Sequence, residues 1–170
     1  MHDISYEEIE KDPELREMIL KIQIPRSMPV TSCQCAVNAF PNTTRYPNTF
    51  NFVRWVFTAS VESHAKRCLT ALGIDDIFVG IIDCKSVDLV TKHSPEAFDA
   101  AMKIAGVTDP SLCIFADDSV KNIETAKAKG WTTILVGDKT RDENLPIVCP
   151  AADHMIATIH QLPDVMPELF

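Results

Sequence analysis

No run in this chain approaches the roughly 18 consecutive apolar residues that a membrane-spanning helix needs. The opening Met1-His2-Asp3-Ile4-Ser5 has neither the basic start nor the apolar stretch of an export signal. Basic charge is scarce as well: 16 Lys and Arg stand against 24 Asp and Glu, a net charge of −8. A surface of that sign offers no electrostatic footprint for a nucleic-acid backbone. The six cysteines are even in number but scattered, and Cys33-Gln34-Cys35 has C-x-C rather than C-x-x-C spacing. Without an export signal, reduced thiols are the expectation, with no zinc or redox role for Cys33 and Cys35. There is no internal repeat or low-complexity tract. These absences exclude nucleic-acid and membrane partners and point to a cytoplasmic protein. Its 170 residues at 46% hydrophobic content suffice for one buried core.

From residue 53 onward, short apolar runs alternate with helical patterns, the signature of βα units around a parallel sheet. Val53 to Phe57 reads as a strand. Ser60 then caps a helix with Ala65, Cys68, Leu69 and Leu72 on one face, closed by Gly73. Val79 to Ile82 is the second strand. Ser94-Pro95-Glu96 combines an N-cap, proline at the first helical position and an early acid, and Phe98, Ala101, Met102 and Ala105 form the stripe that follows. Leu112 to Ala116 is the third strand, with its helix ending at Gly130. Thr132 to Val136 is a β-branched fourth strand. A short strand at His154 to Ile156 and a helix over Thr158 to Met166 complete the pattern.

The first 52 residues read differently. Ser5-Tyr6-Glu7-Glu8 matches a capping box, and Asp12-Pro13-Glu14 opens a helix with Leu15, Met18, Ile19 and Ile22 on one face. Between Gln23 and Phe52 the only charges are Arg26 and Arg45, and Pro25, Pro29, Pro41 and Pro47 interrupt any periodicity. The expected division is therefore 1–23, a helical segment; 24–52, an irregular insertion; and 53–170, the α/β core.

Chemistry concentrates where the first three strands end. Thr58 follows the first, Lys92 lies in the loop after the second, and Asp117-Asp118-Ser119 follows the third. Open α/β sheets place ligands at this edge. A hydroxyl and a helix N-terminus donate to phosphate oxygens, a lysine ammonium offsets their charge, and hard carboxylate oxygens suit Mg²⁺. Each residue also has an ordinary reading: Thr58 as a strand end, Lys92 as a solvated loop lysine, Asp118 or Ser119 as a helix cap. A cap needs only one side chain, so the second carboxylate favours a metal.

In this order the residues resemble the haloacid dehalogenase-like superfamily, whose later motifs are a Thr or Ser after a strand, a Lys before a helix, and paired acids after a strand. The text Val56-Phe57-Thr58, Leu72-Gly73-Ile74, Phe78-Val79-Gly80-Ile81-Ile82, Lys92-His93-Ser94-Pro95-Glu96-Ala97-Phe98, Phe115 to Ile123 and Ile134-Leu135-Val136-Gly137 resembles its pyrimidine 5′-nucleotidase-like branch. The resemblance covers roughly residues 53 to 170. Lys11 to Arg16 is similar to the segment by which that branch returns from a helical cap to the core, which makes residues 1–23 a cap remnant.

The resemblance implies a three-layer Rossmann-like parallel sheet and Mg²⁺-dependent hydrolysis of a phosphomonoester, a nucleotide 5′-monophosphate by analogy. In such enzymes an aspartate attacks phosphorus and water cleaves the phosphoaspartate. By position, Thr58, Ala59 and Lys92 would bind the phosphoryl group, Lys92 acting in catalysis, and Asp117 and Asp118 would hold Mg²⁺. Ala59 stands where the branch has Asn, His93 where it has Pro, and Ala116 where Phe is common.

The superfamily's attacking aspartate lies in a D-x-D-x-T/V motif on the first core strand, and no D-x-D occurs in these 170 residues. The expectation is a truncated chain with weak Mg²⁺ affinity and little or no activity. Residues 24–52 would then be what retained noncoding sequence looks like, and the sheet would have an apolar flank prone to self-association. Two alternatives stand beside this one: Asp83 or Asp88 substitutes as the attacker, or the fold persists as a noncatalytic scaffold.

Overall fold

The computed structural model describes residues 11–21, 53–140 and 145–170. The capping box at Ser5 and the insertion 24–52 lie outside them. The elements are α1 (Pro13–Lys21), β1 (Trp55–Phe57), α2 (Glu62–Leu72), β2 (Gly80–Ile82), α3 (Pro95–Ala105), β3 (Ile114–Asp117), α4 (Val120–Ala128), β4 (Thr132–Val136), β5 (His154–Ile156) and α5 (Leu162–Val165). All strand pairing between these elements is parallel, as the βα alternation predicts.

Side chains on the strands alternate between two apolar layers, the period-2 geometry of a strand buried on both faces. Phe57, Ile82, Phe115 and Leu135 pack with Phe98, Ala101, Met102 and Ala105 of α3, Ile123 and Ala126 of α4, and Trp131. Val56, Ile81, Ile114, Ala116, Ile134 and Ile156 face the other way, toward Met18 and Ile19 of α1, Leu69 of α2, and Leu162, Met166 and Leu169 near the C-terminus. The fold is thus a three-layer α/β arrangement. Helix α1 belongs to its packing: Asp12 caps it through Leu15 N–H at 2.8 Å, and Arg16 pairs with Asp76 at 2.5 Å.

Local chemistry explains most boundaries. Ser94 is the N-cap of α3 with Pro95 at its first position, and Gly106 closes it at φ 72°, a left-handed turn that glycine makes at no steric cost. Helix α2 starts differently from the sequence expectation. Its N-cap is Val61, not Ser60, because the free amide of Glu62 is taken by Asp83 Oδ2 at 3.0 Å from the end of β2. The helix expected over Thr158 to Met166 divides into a 3₁₀ turn at Ile159–Gln161 and the four-residue α5. Gln161 Oε1 accepts from Ala157 and Thr158 amides in a capping box, which tightens that turn.

Among the described residues the sheet is split: strands β3, β4 and β5 form one ladder in the order β3-β4-β5, and β1 pairs only with β2. Strand β4, with neighbours on both sides, has three fully buried residues, whereas every residue of β1 is half-buried. Apolar cavities lie between β1 and β3 on each face. One of about 60 Å³ is lined by Trp55, Phe57, Met102, Phe115 and Trp131. The other, about 290 Å³, is lined by Met18, Trp55, Val56, Ile114, Ala116 and Ile134. The larger is about twice the roughly 150 Å³ of an engineered apolar cavity that stays dry.

Trp55 overlooks both cavities and lies against Gly80, its register partner across the β1–β2 ladder. A Cβ at Gly80 would stand 2.6 Å from Trp55 Cζ3. Gly80→Ala therefore has to displace a rigid indole and is expected to lower stability by about 1–3 kcal/mol in urea denaturation; an unchanged midpoint would show that Trp55 is not held there.

Candidate active site

Lys92 is the point at which the two half-sheets meet. It sits in the loop from β2 to α3, and its ammonium donates to Asp117 Oδ2 at 2.6 Å and to the carbonyl oxygen of Phe57 at 3.2 Å. One bond reaches the last residue of β3 and the other the last residue of β1. The Lys92 and Asp117 side chains are only 11% and 8% exposed. A lysine so far from water needs more than one acceptor. The Phe57 and Phe115 rings supply the remainder, with the ammonium 5.4 and 5.6 Å from their centroids. Those rings are fixed by edge-on contacts with Phe98 and Trp131.

Asp117 is held from its other oxygen as well. Oδ1 accepts from Ser119 N–H at 2.9 Å and from Asn122 Nδ2 at 2.9 Å. The turn after β3 is therefore closed by Asp117, and Ser119, the N-cap of α4, makes no side-chain cap bond. Asp118 is exposed beside it. Thr58, one residue past β1, donates its amide to Ile82 O at 2.9 Å, and its hydroxyl oxygen accepts from Ser60 N–H at 3.1 Å. Ala59 is exposed in the same turn. All five residues singled out in the sequence thus stand at the C-terminal ends of β1 and β3, with Lys92 in direct contact with Asp117 and the β1 terminus.

The sequence reading gave Asn122 no place in this site. Asn122 is 7% exposed, and its Oδ1 has no hydrogen-bond partner among the described residues. Its position on the first turn of α4, right after the acidic pair, was the available signal. Asp83, a substitute attacker in one reading, is committed elsewhere. Its Oδ1 accepts from the Ser86 hydroxyl at 2.6 Å and amide at 2.8 Å while Oδ2 holds Glu62 N–H. The Ser86 hydroxyl, then its amide, hold this carboxyl below its ordinary value against the opposing effect of burial. Asp88, the other substitute, is exposed at a left-handed turn with φ 53°.

A parallel α/β core with a buried lysine and an acidic pair at one sheet edge matches a family model. Residues 48–130 fit that of the haloacid dehalogenase-like hydrolases. The match covers just under half of the chain, which over that stretch is haloacid dehalogenase-like. It is similar to phosphate metabolism protein 8 of Saccharomyces cerevisiae, 33% identical over 86 residues, which are 48% of this chain and 27% of that protein. Among solved structures it resembles a HAD phosphatase from Thermococcus onnurineus (20% identity, TM-score 0.53, 71% of this chain and 57% of that one). It also resembles the HAD-hydrolase YfnB from Bacillus subtilis bound to magnesium (15% identity, TM-score 0.56, 68% and 48%). These structural likenesses establish the fold. The chain spans about a quarter of the yeast protein and about half of the two solved chains.

The donor set accords in kind with Mg²⁺, which takes oxygen ligands from one or two carboxylates and keeps several waters. Asp117, Asp118 and the unpartnered Asn122 Oδ1 are oxygen donors. No group of three or more His, Cys, Asp or Glu side chains among the described residues makes a fuller cage. Of the cysteines, Cys113 is buried, and that burial pushes its thiol up to about 12, so it is inert at neutral pH.

Two outcomes follow. Asp117→Ala strands the Lys92 ammonium and is expected to cost about 3–5 kcal/mol, whereas Lys92→Met with Asp117→Leu recovers most of that loss. A double variant as unstable as the two singles combined would show that the pair is not coupled. Asp83 has a depressed folded pKa, so its contribution is present above the unfolded value of 3.8 and vanishes as pH falls through the folded one. Thermal melts should therefore show Asp83→Asn less stable than wild type at pH 7, with the gap closing below about pH 4; a gap constant with pH would contradict the assignment.

Proposed function

We propose that this chain is the core of a Mg²⁺-dependent phosphomonoester hydrolase whose substrate class is nucleotide 5′-monophosphates, and that it binds the phosphoryl group more effectively than it turns it over. The observation that carries this reading is the Lys92 ammonium, desolvated and aimed at the meeting point of β1 and β3. A cation in that position offsets phosphoryl charge more strongly than a solvated one. The Thr58 hydroxyl and the Ala59 amide would donate on the β1 side, and Asp117 and Asp118 would hold Mg²⁺ on the β3 side. When bound, the metal supplies charge neutralisation for the phosphoryl oxygens. A phosphatase and a magnesium-bound hydrolase among proteins of similar fold support both parts.

Turnover is expected to be slow because the attacking group is wanting. The sequence has no D-x-D, and Asp83 is spent on capping. The same observations favour a second reading, in which the fold binds ligands or partners without catalysis.

Calorimetric titration with a nucleotide monophosphate in Mg²⁺ separates these readings. Binding that weakens at least tenfold, about 1.4 kcal/mol, in Lys92→Ala supports a phosphoryl site. Affinity unaffected by that change, or turnover of p-nitrophenyl phosphate that survives it, contradicts the assignment.

A further inference from the structure

Helix α2 carries a pair of metal-ligating side chains that the candidate active site does not use. His64 and Cys68 stand four residues apart, so they lie one above the other on a single face. His64 is exposed and Cys68 half-buried, with His64 Nε2 3.7 Å from Cys68 Sγ. That separation is the deciding quantity. A tetrahedral zinc ion with Zn–S of about 2.3 Å and Zn–N of about 2.0–2.1 Å spans about 3.6 Å between its sulfur and nitrogen ligands. Both atoms can therefore ligate one ion with the helix as it stands. The helix itself is well held: Ala65 and Leu69 are buried on its inner face, Asp83 takes the Glu62 amide at its start, and Gly73 closes it at φ 72°. The Lys66 ammonium on the same helix is offset by Glu62 at 2.7 Å, which lessens its repulsion of a cation.

We infer that His64 and Cys68 form a two-ligand chelate for Zn²⁺, with water in the other two positions of its tetrahedron. Cys68 enters as the thiolate, its proton passing to solvent as the sulfur–metal bond forms, and His64 enters as neutral imidazole through Nε2. Among the described residues no third His, Cys, Asp or Glu completes the set, so the coordination sphere stays open and the ion exchangeable, unlike the closed four-ligand sites that hold structural zinc. Ligand chemistry separates this site from the sheet edge. Sulfur and imidazole nitrogen select zinc over magnesium, whereas the carboxylate oxygens of Asp117 and Asp118 suit the harder ion. The chelate therefore stands independently of the hydrolase reading. The competing account is a thiol–imidazole hydrogen bond that holds no ion, and the two differ in what added metal does.

Co²⁺ titrated into the full chain, kept reduced, reads the site through thiolate-to-metal charge-transfer absorption. Because Cys33 and Cys35 are also present, the quantity measured is the difference between wild type and Cys68→Ser. That difference is expected to correspond to one Co²⁺ per chain, to need at least tenfold more metal in His64→Ala, to be bleached by Zn²⁺, and to persist in a large excess of Mg²⁺. Coincident titrations of wild type and Cys68→Ser, equal affinity in His64→Ala, or bleaching by Mg²⁺ overturns the inference. Neither side chain belongs to the buried core, so both variants should melt with the wild type when no metal is added. A second measurement needs no variant: Zn²⁺ added to the ¹⁵N-labelled wild-type chain should shift the His64 Nε2 resonance. A resonance indifferent to Zn²⁺ also overturns the chelate and leaves the hydrogen bond alone.

Discussion

One buried ion pair organises this molecule. Lys92 and Asp117 join the ends of two strands that share no ladder among the described residues, and the lysine's second bond, to Phe57 O, completes the span. An ammonium this far from water is tolerable only because a carboxylate, a carbonyl oxygen and two aromatic faces replace its hydration. Everything near it serves that arrangement. The Phe57, Phe98, Phe115 and Trp131 cluster fixes the rings, and Ser119 and Asn122 fix the carboxylate.

The division of labour among the acids follows from the same physics. Asp83 is used for a helix start, Asp12 for another, and Asp153 for β4, where it accepts from Thr133 N–H at 2.9 Å and pairs with Lys127 at 2.5 Å. Each is a carboxylate satisfied within its own neighbourhood. Asp118 stands exposed beside the buried Asp117.

Much of this was legible in the sequence, and for local reasons. Ser94-Pro95 and Gly106 carry their own instructions for α3, and the β-branched run 132–136 has the bounds of β4. Thr58, Lys92 and Asp117 could be assigned to one edge because strand direction in βα units leaves no other choice. What sequence could not supply depended on contacts far apart along the chain. Ser60 lost its role as cap to Asp83, 23 positions away, because a carboxylate leaving β2 reaches Glu62 N–H. Asn122 gains its meaning only from the position of Asp117. The packing between β1 and β3 was likewise beyond the sequence: among the described residues they share no ladder, and apolar cavities lie between them on both faces.

The most direct measurement is NMR observation of the Lys92 side-chain ammonium, with Lys92→Arg used to assign it, during titration with inorganic phosphate in Mg²⁺. A lysine locked between Asp117 and Phe57 should give a slowly exchanging ¹⁵Nζ resonance at neutral pH that moves as phosphate binds. A fast-exchanging signal, or one indifferent to phosphate, would mean that this lysine neither joins the two half-sheets nor faces a phosphoryl group.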